Sequence, residues 1–299
     1  MGYPPAQIIM AVQETNLQSL QREFIADLRT KSRSSATILA YNKDIEQLVT
    51  HLIQAGKTQI QEVVPSDIEG FRNSLADKSY TAKSISRKLN AIKALFRWLV
   101  AKKVLENDSA APVAHPKYDN PPPRILTRME YRALRDAARS DKRIAAIIEL
   151  MLQTGLRIGE VANLKISDIN GENILIRAYA SQPKRAVPLN GSAKGALDEY
   201  LKERGEVKSD HVFVTKNARP LLVRNIRSSI DRYFREAGIE NAKVNDLRST
   251  FIAHQLKSGV DVVTVSKIAG HKRLSTTERY LEFIDRKNGS GRGTKLEEL

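Results

Sequence analysis

Four stretches of this 299-residue chain carry side chains that could do chemistry. In "LMLQTGLRIGEVANLKISDI" (150–169) a helix ends near Thr154, Gly155 turns the chain, and Arg157 opens the next helix with Glu160 three residues on. A guanidinium among apolar residues in such a turn must find an anion. A carboxylate partner would make Arg157 and Glu160 a structural ion pair, and a phosphate would make the turn a binding site; the residues alone allow both. In "VNDLRSTFIAHQL" (244–256) Asn245 or Asp246 caps a helix whose Leu247, Phe251 and Ala253 face inward. Arg248 sits in its first turn, where the helix dipole disfavours a cation. Either an anion binds nearby, as helix N-termini favour, or Arg248 is a surface residue. "VDVVTVSKIAGH" reads as an apolar helix closed by Gly270, with His271 directly after the cap. Ser275 and Glu278 form a capping box, which places Tyr280 in the second turn of a new helix, nine residues beyond His271. A tyrosine there is either a core aromatic, the commoner fate of such a residue, or a phenol held ready for chemistry.

The elements that must position these groups fall into two parts. Residues 1–14 read as a flexible lead, and 15–105 as a helical domain. Leu20, Phe24 and Leu28 share one helix face, and a second helix begins at the serine pair before Ala36, carries Ile38, Tyr41, Ile45, Leu48 and Leu52, and stops at Gly56. Ser66 with Glu69 gives a capping box for a third. The fourth helix, near 81–103, buries Ile85, Leu89, Ile92, Phe96 and Leu99. From Lys78 to Lys103 it holds eight basic residues and no acidic one: Lys78, Lys83, Arg87, Lys88, Lys93, Arg97, Lys102 and Lys103. Solvated helices usually mix signs to gain i,i+4 pairs. A run without acids points to a face that meets phosphates, although a basic solvated face is the plain alternative. Five prolines in 106–125 make an extended linker. A second domain, 126–287, opens on the Thr127/Glu130 capping box, alternates helices with a hairpin built from "NILIRAY" and "RAVPL", and has "HVFVT" as a further short strand. Residues 288–299 read as a flexible tail.

Bulk composition narrows the class. Forty-nine Lys and Arg against 34 Asp and Glu give +15 and fit a polyanionic partner, most simply nucleic acid. No apolar run reaches the length of a membrane span, and the N-terminus makes a poor signal peptide. The chain has no cysteine, which removes disulfides and thiolate metal sites and fits a reducing cytoplasm. Five scattered histidines without an HExxH pair argue against a metal.

Weighed together, Arg157-Ile-Gly-Glu160, Asn245-Asp-Leu-Arg248, Gly270-His271 and Tyr280 resemble the tyrosine recombinase (integrase) family, most closely its short Xer-like members. The resemblance spans nearly the whole chain, since the basic N-terminal half is similar to the family's core-binding domain. It implies a mainly α fold with a small antiparallel β-hairpin or sheet: a helical core-binding domain followed by a mixed α+β catalytic domain. It also implies site-specific cleavage and rejoining of double-stranded DNA through a 3′-phosphotyrosine, with strand exchange by a homotetramer on two DNA sites. Tyr280 would be the nucleophile, Arg157 and Arg248 would clamp the non-bridging oxygens, His271 would donate to the same phosphate, and Glu160 would orient its neighbours. No metal, nucleotide or other cofactor and no membrane is implied; accessory proteins are left unassigned, and the location would be cytoplasmic. On the basic helix, Lys83, Arg87, Lys88, Lys93 and Arg97 are the DNA-contacting candidates.

Two departures from the family stand out. Asn245 occupies a position where histidine is usual, and asparagine can hydrogen-bond a phosphate without transferring a proton. The family's general-acid lysine, often in a Gly-Lys-Gly turn, aligns by spacing with Ala180. Lys184 is the nearest hairpin lysine and the candidate acid, with Arg185 second. These departures motivate two other readings: a recombinase-fold DNA-binding protein with weak or no strand exchange, and relaxation alone, as by a type IB topoisomerase.

Overall fold

The computed structural model describes residues 16–31, 34–119, 121–178, 183–283 and 299. The expected lead at 1–14, the hairpin tip with Ala180, and the tail up to 298 lie outside the described residues. The chain divides into two compact units, Met1–Asn120 and Pro121–Leu299.

The first unit is built from α1 (Leu17–Thr30), α2 (Ser35–Gln54), α3 (Pro65–Asp77) and α4 (Ala82–Ala101). The side-chain oxygens of Asn16, Ser34 and Thr81 cap α1, α2 and α4, as small polar residues do for the first free N–H groups. The expected Ser66 cap does not form. Pro65 occupies the first helical position of α3, which its fixed φ suits, and Asp67 reaches back to the Val64 N–H at 2.8 Å. Phe24, Ile45, Leu48, Leu89, Ile92, Phe96 and Leu99 fill the core. Packing continues into the proline-rich stretch read as linker: Ala110 and Val113 are buried, and the Ser109 hydroxyl donates to Val63 O at 2.9 Å.

Helix α4 separates its cations. Lys83, Arg87 and Arg97 are exposed and Lys93 is half-buried, donating to Ala111 O at 3.0 Å. Lys88 corrects the expectation of a DNA-facing residue. It is 4% exposed, and its ammonium donates to Asp44 Oδ1 at 2.9 Å and Gln47 Oε1 at 2.7 Å. Arg87 also pairs with Asp44. The acid missing from α4 is supplied by α2.

The second unit runs α5 (Arg128–Ala138), α6 (Lys142–Thr154), α7 (Ile158–Ala162), β1 (Ile169–Asn170), β2 (Asn173–Ile176), β3 (Arg185–Pro188), α8 (Gly191–Arg204), α9 (Val223–Glu236), α10 (Val244–Lys257), α11 (Val262–Ala269) and α12 (Ser275–Glu278). The strands form an antiparallel sheet in the order β1-β2-β3. Ile174 opposes Val187 and both are fully buried, whereas Ile176 opposes Arg185. Strand alternation therefore puts Arg185 on the same face as Val187. "HVFVT" makes only isolated bridges, Lys165 to His211 and Val214 to Pro220. Helix α10 is buried along nearly its whole length, a central helix without a polar face.

The Thr127/Glu130 capping box starts α5. The one expected at Ser275 does not form: the chain enters α12 through Leu274, already helical at φ −58° and ψ −37°, so no extended cap residue precedes it. Helix α12 is a single turn, and Tyr280 lies in the turn after it. No helix among the described residues is long and apolar enough to cross a membrane, and no metal-ligating group occurs among them.

Candidate active site

Two left-handed glycines set the frame. Gly155, at φ +64°, ends α6, and a Cβ there would lie 2.4 Å from the Phe251 ring. Its carbonyl accepts from Arg248 Nη1 at 2.5 Å. Gly270, at φ +67°, ends α11, and a Cβ there would lie 2.8 Å from the Arg185 guanidinium carbon. Its carbonyl accepts from Arg157 Nη2 at 2.7 Å. Each glycine, free to adopt positive φ and to let a side chain approach its backbone, thus holds an arginine from a distant motif.

Glu160 ties the arginines together. Its Oε2 accepts from the Arg157 N–H at 2.8 Å and its Oε1 from Arg157 Nη1 at 3.1 Å. Both oxygens also accept from Arg185, Nη1 to Oε1 and Nη2 to Oε2, each at 2.8 Å. Burial alone would raise this carboxyl, but the Arg185 fork, the Arg157 N–H and the two guanidinium charges outweigh it and hold Glu160 below the usual range. It is an anion at neutral pH.

Arg248 is 4% exposed. It lies in the second turn of α10, because the helix begins at Val244 under a box formed by Asp246 on the Lys243 N–H at 2.7 Å. Burial and then the neighbouring Arg157 push it down to about 9. Its Nη2 is buried with no hydrogen-bond partner. His271 is half-buried, and its Nδ1 lies 2.7 Å from the Thr277 hydroxyl. Burial, then Arg248, Arg157 and Arg185, push it down to about 4, so the imidazole is neutral at pH 7. Tyr280 is 8% exposed, with its hydroxyl 3.2 Å from the Ser249 hydroxyl, beside Arg248 on α10.

The structure therefore brings Arg157, Glu160, Arg248, His271 and Tyr280 into one place. Three guanidinium groups face one carboxylate, an excess of two positive charges. A buried donor left open among cations is a site for an anion with several acceptor oxygens. The Tyr280 phenol lies near the same cluster, close enough for its charge to act on Arg248. Asn245 is exposed in the first turn of α10, and Lys184 is exposed just ahead of β3; among the described residues no hydrogen bond or ion pair draws either into the cluster. Arg185 departs from its place as second-choice proton donor. All three of its nitrogens are engaged, Nε with Ile268 O at 2.8 Å and the other two with Glu160. The engagement of Arg185 had no signal in the sequence beyond strand alternation, because its partners lie far away in the chain, and the contacts of Ser249 and Thr277, both on helices, had none.

Residues 124–286 match the Phage integrase family, and residues 22–103 match its N-terminal SAM-like domain. The chain belongs to the phage integrase family, and it is a tyrosine recombinase. It is similar to "Tyrosine recombinase XerC" of Bacillus pumilus, at 29% identity covering 89% of this chain and 92% of that one. It is similar also to "Tyrosine recombinase XerD" of Oceanobacillus iheyensis, at 28% identity covering 83% and 87%. In fold it resembles a lambda integrase tetramer bound to a Holliday junction, with a TM-score of 0.73 at 19% identity, covering 91% of this chain and 83% of that one.

Proposed function

We propose that the cluster binds the scissile phosphodiester of duplex DNA and that Tyr280 attacks it. Arg157 and Arg248 hold the two non-bridging oxygens, the planar forks suiting that geometry. With the Thr277 hydroxyl donating to Nδ1, the neutral His271 keeps its proton on Nε2 and donates to the same phosphate. Glu160 orients Arg157. The Tyr280 oxygen bonds to phosphorus as the phenol gives its proton to solvent, and the bond to the 5′ oxygen breaks. Lys184, brought in by the hairpin, protonates that leaving oxygen. The 3′-phosphotyrosine conserves the bond energy, so the 5′-hydroxyl of a second strand can reverse the step without a metal or nucleotide. Asn245 adds a hydrogen bond to the phosphate from the start of α10.

The observation that carries this reading is the unpartnered, buried Nη2 of Arg248 among cations that outnumber their carboxylate. Transition-state charge grows on the phosphorane oxygens, and preorganised donors aimed there lower the barrier most. Residues 15–105 serve as the core-binding domain, the proline-rich segment 106–125 as linker, and 126–287 as the catalytic domain. Four protomers exchange strands between two DNA sites in the cytoplasm, as the lambda integrase tetramer on a Holliday junction suggests by fold. A nicked suicide substrate tests the chemistry: the wild-type chain forms a covalent protein–DNA adduct and Tyr280→Phe forms none. An adduct that survives in Tyr280→Phe removes Tyr280 as the nucleophile.

A further inference from the structure

Arg185 is a half-buried cation of the second unit that the cleavage chemistry leaves without a task. Its side chain is 9% exposed, too enclosed and too fully engaged to touch DNA. Its position nevertheless bears on both phosphate donors. On one side its fork takes both oxygens of Glu160. Glu160 has four acceptor directions, and the Arg157 N–H, Arg157 Nη1 and the two Arg185 bonds fill them. Arg157 is thereby left with one weaker side-chain bond to the carboxylate, at 3.1 Å. On the other side the same guanidinium lies against Gly270, where a Cβ would come within 2.8 Å, and it holds Ile268 O through Nε. That fixes the end of α11, from which Gly270 O holds Arg157 and His271 follows in the chain.

We propose that Arg185 is a positioning residue for DNA cleavage: by occupying Glu160 and bracing the Gly270 turn, it keeps Arg157 and His271 directed at the phosphate. This rests on the reading that the cluster binds the scissile phosphate. Without Arg185, Glu160 keeps Arg157 as its nearest cation. The Arg157 guanidinium then turns from a phosphate clamp into a two-pronged partner of its own helix's carboxylate, and the excess positive charge falls. Burial of Glu160 persists while its main stabiliser is gone, so its carboxyl moves upward.

The experiment uses the full chain in single-turnover cleavage of the nicked suicide substrate from pH 5 to 9, with DNA affinity and Tm measured in parallel. R185Q is expected to cleave about 100-fold more slowly, with DNA affinity within about threefold of wild type, as for a loss of transition-state stabilisation. Its rate falls as pH rises across the acidic range, because Glu160 ionises there and captures Arg157, a limb the wild type lacks. R185K, which restores the charge without the fork, recovers about tenfold. Adding E160Q to R185Q costs no more than about twofold further, because the two residues act as one unit. A wild-type rate and pH profile in R185Q overturns the proposal, as does a loss that matches the loss of folded protein with no recovery in R185K. If R185Q does not fold, R185K decides: slower cleavage with the acidic limb supports the proposal, and wild-type behaviour overturns it. A wild-type chain that forms no adduct overturns the phosphate reading beneath; an undiminished adduct in R185Q overturns this proposal alone.

Discussion

Lys88 in the first unit and Arg248 in the second are both 4% exposed cations on helices, and they have opposite meanings. The Lys88 ammonium is satisfied by Asp44 and Gln47 and lies 5.1 Å from the centre of the Tyr80 ring. Arg248 has one carbonyl at 2.5 Å, a second nitrogen without a partner, and further arginines nearby. Burial of a cation therefore does not mark function by itself. Completed hydrogen bonding makes it a structural pin, and incomplete neutralisation makes it a receptor for an anion supplied from outside.

Substitution breaks this comparison most directly. Arg248→Ala should lower the cleavage rate by at least about 1,000-fold, as loss of a preorganised charge donor does, while the fold survives; cleavage kinetics and circular dichroism check both halves. Lys88→Ala should do the reverse. Leaving Asp44 with Arg87 as its remaining cation should destabilise the first unit by about 1–2 kcal/mol, less than a wholly unpaired buried charge would cost, and replacing Asp44 and Lys88 with apolar residues of similar volume should recover most of that loss. Denaturant unfolding of single and double variants measures it; equal losses in both would mean that Lys88 contributes something other than neutralisation.

Smaller effects are expected on the exposed face of α4. Ala substitutions at Lys83, Arg87 and Arg97 should each weaken DNA binding for all sequences alike and flatten the log K against log salt slope by about 0.9 for each phosphate left without its cation. Lys88→Met should not change that slope.

The pH dependence of kcat/KM sharpens the comparison further. His271, at about 4, is already neutral across pH 5–8 and should add no acidic limb there. Arg248 has a folded value of about 9, below its ordinary value, so the free enzyme should lose its charge and its cleavage rate as pH rises through 9. Bound phosphate favours the cation and should move that limb upward in the complex. An acidic limb between pH 5 and 8 in the wild type would contradict the neutral imidazole.

Much of this was legible before the fold. The stripes of α1, α2 and α4, the Thr127/Glu130 cap, the glycine stops at 155 and 270 and the four separated motifs all rest on local chemistry and spacing. What failed did so for tertiary reasons. Lys88 looked solvent-facing because its acid lies on α2, more than forty residues away. Arg248 allowed a surface reading because α10 has no polar face to reveal its burial. The Ser66 and Ser275 caps gave way to Pro65 and to the helical entry at Leu274.

The sequence by itself determined which residues were candidates for the chemistry: a phenol, a histidine and arginines beside helix-stopping glycines are fixed by type and order, and their order carried the family resemblance. Only the tertiary structure decided how they are held. Gly155 O meets Arg248 across 93 residues, Gly270 O meets Arg157 across 113, and Arg185 forks Glu160 across 25. Charge balance in a buried cluster is a sum over such distant partners, and no local window of the chain contains it.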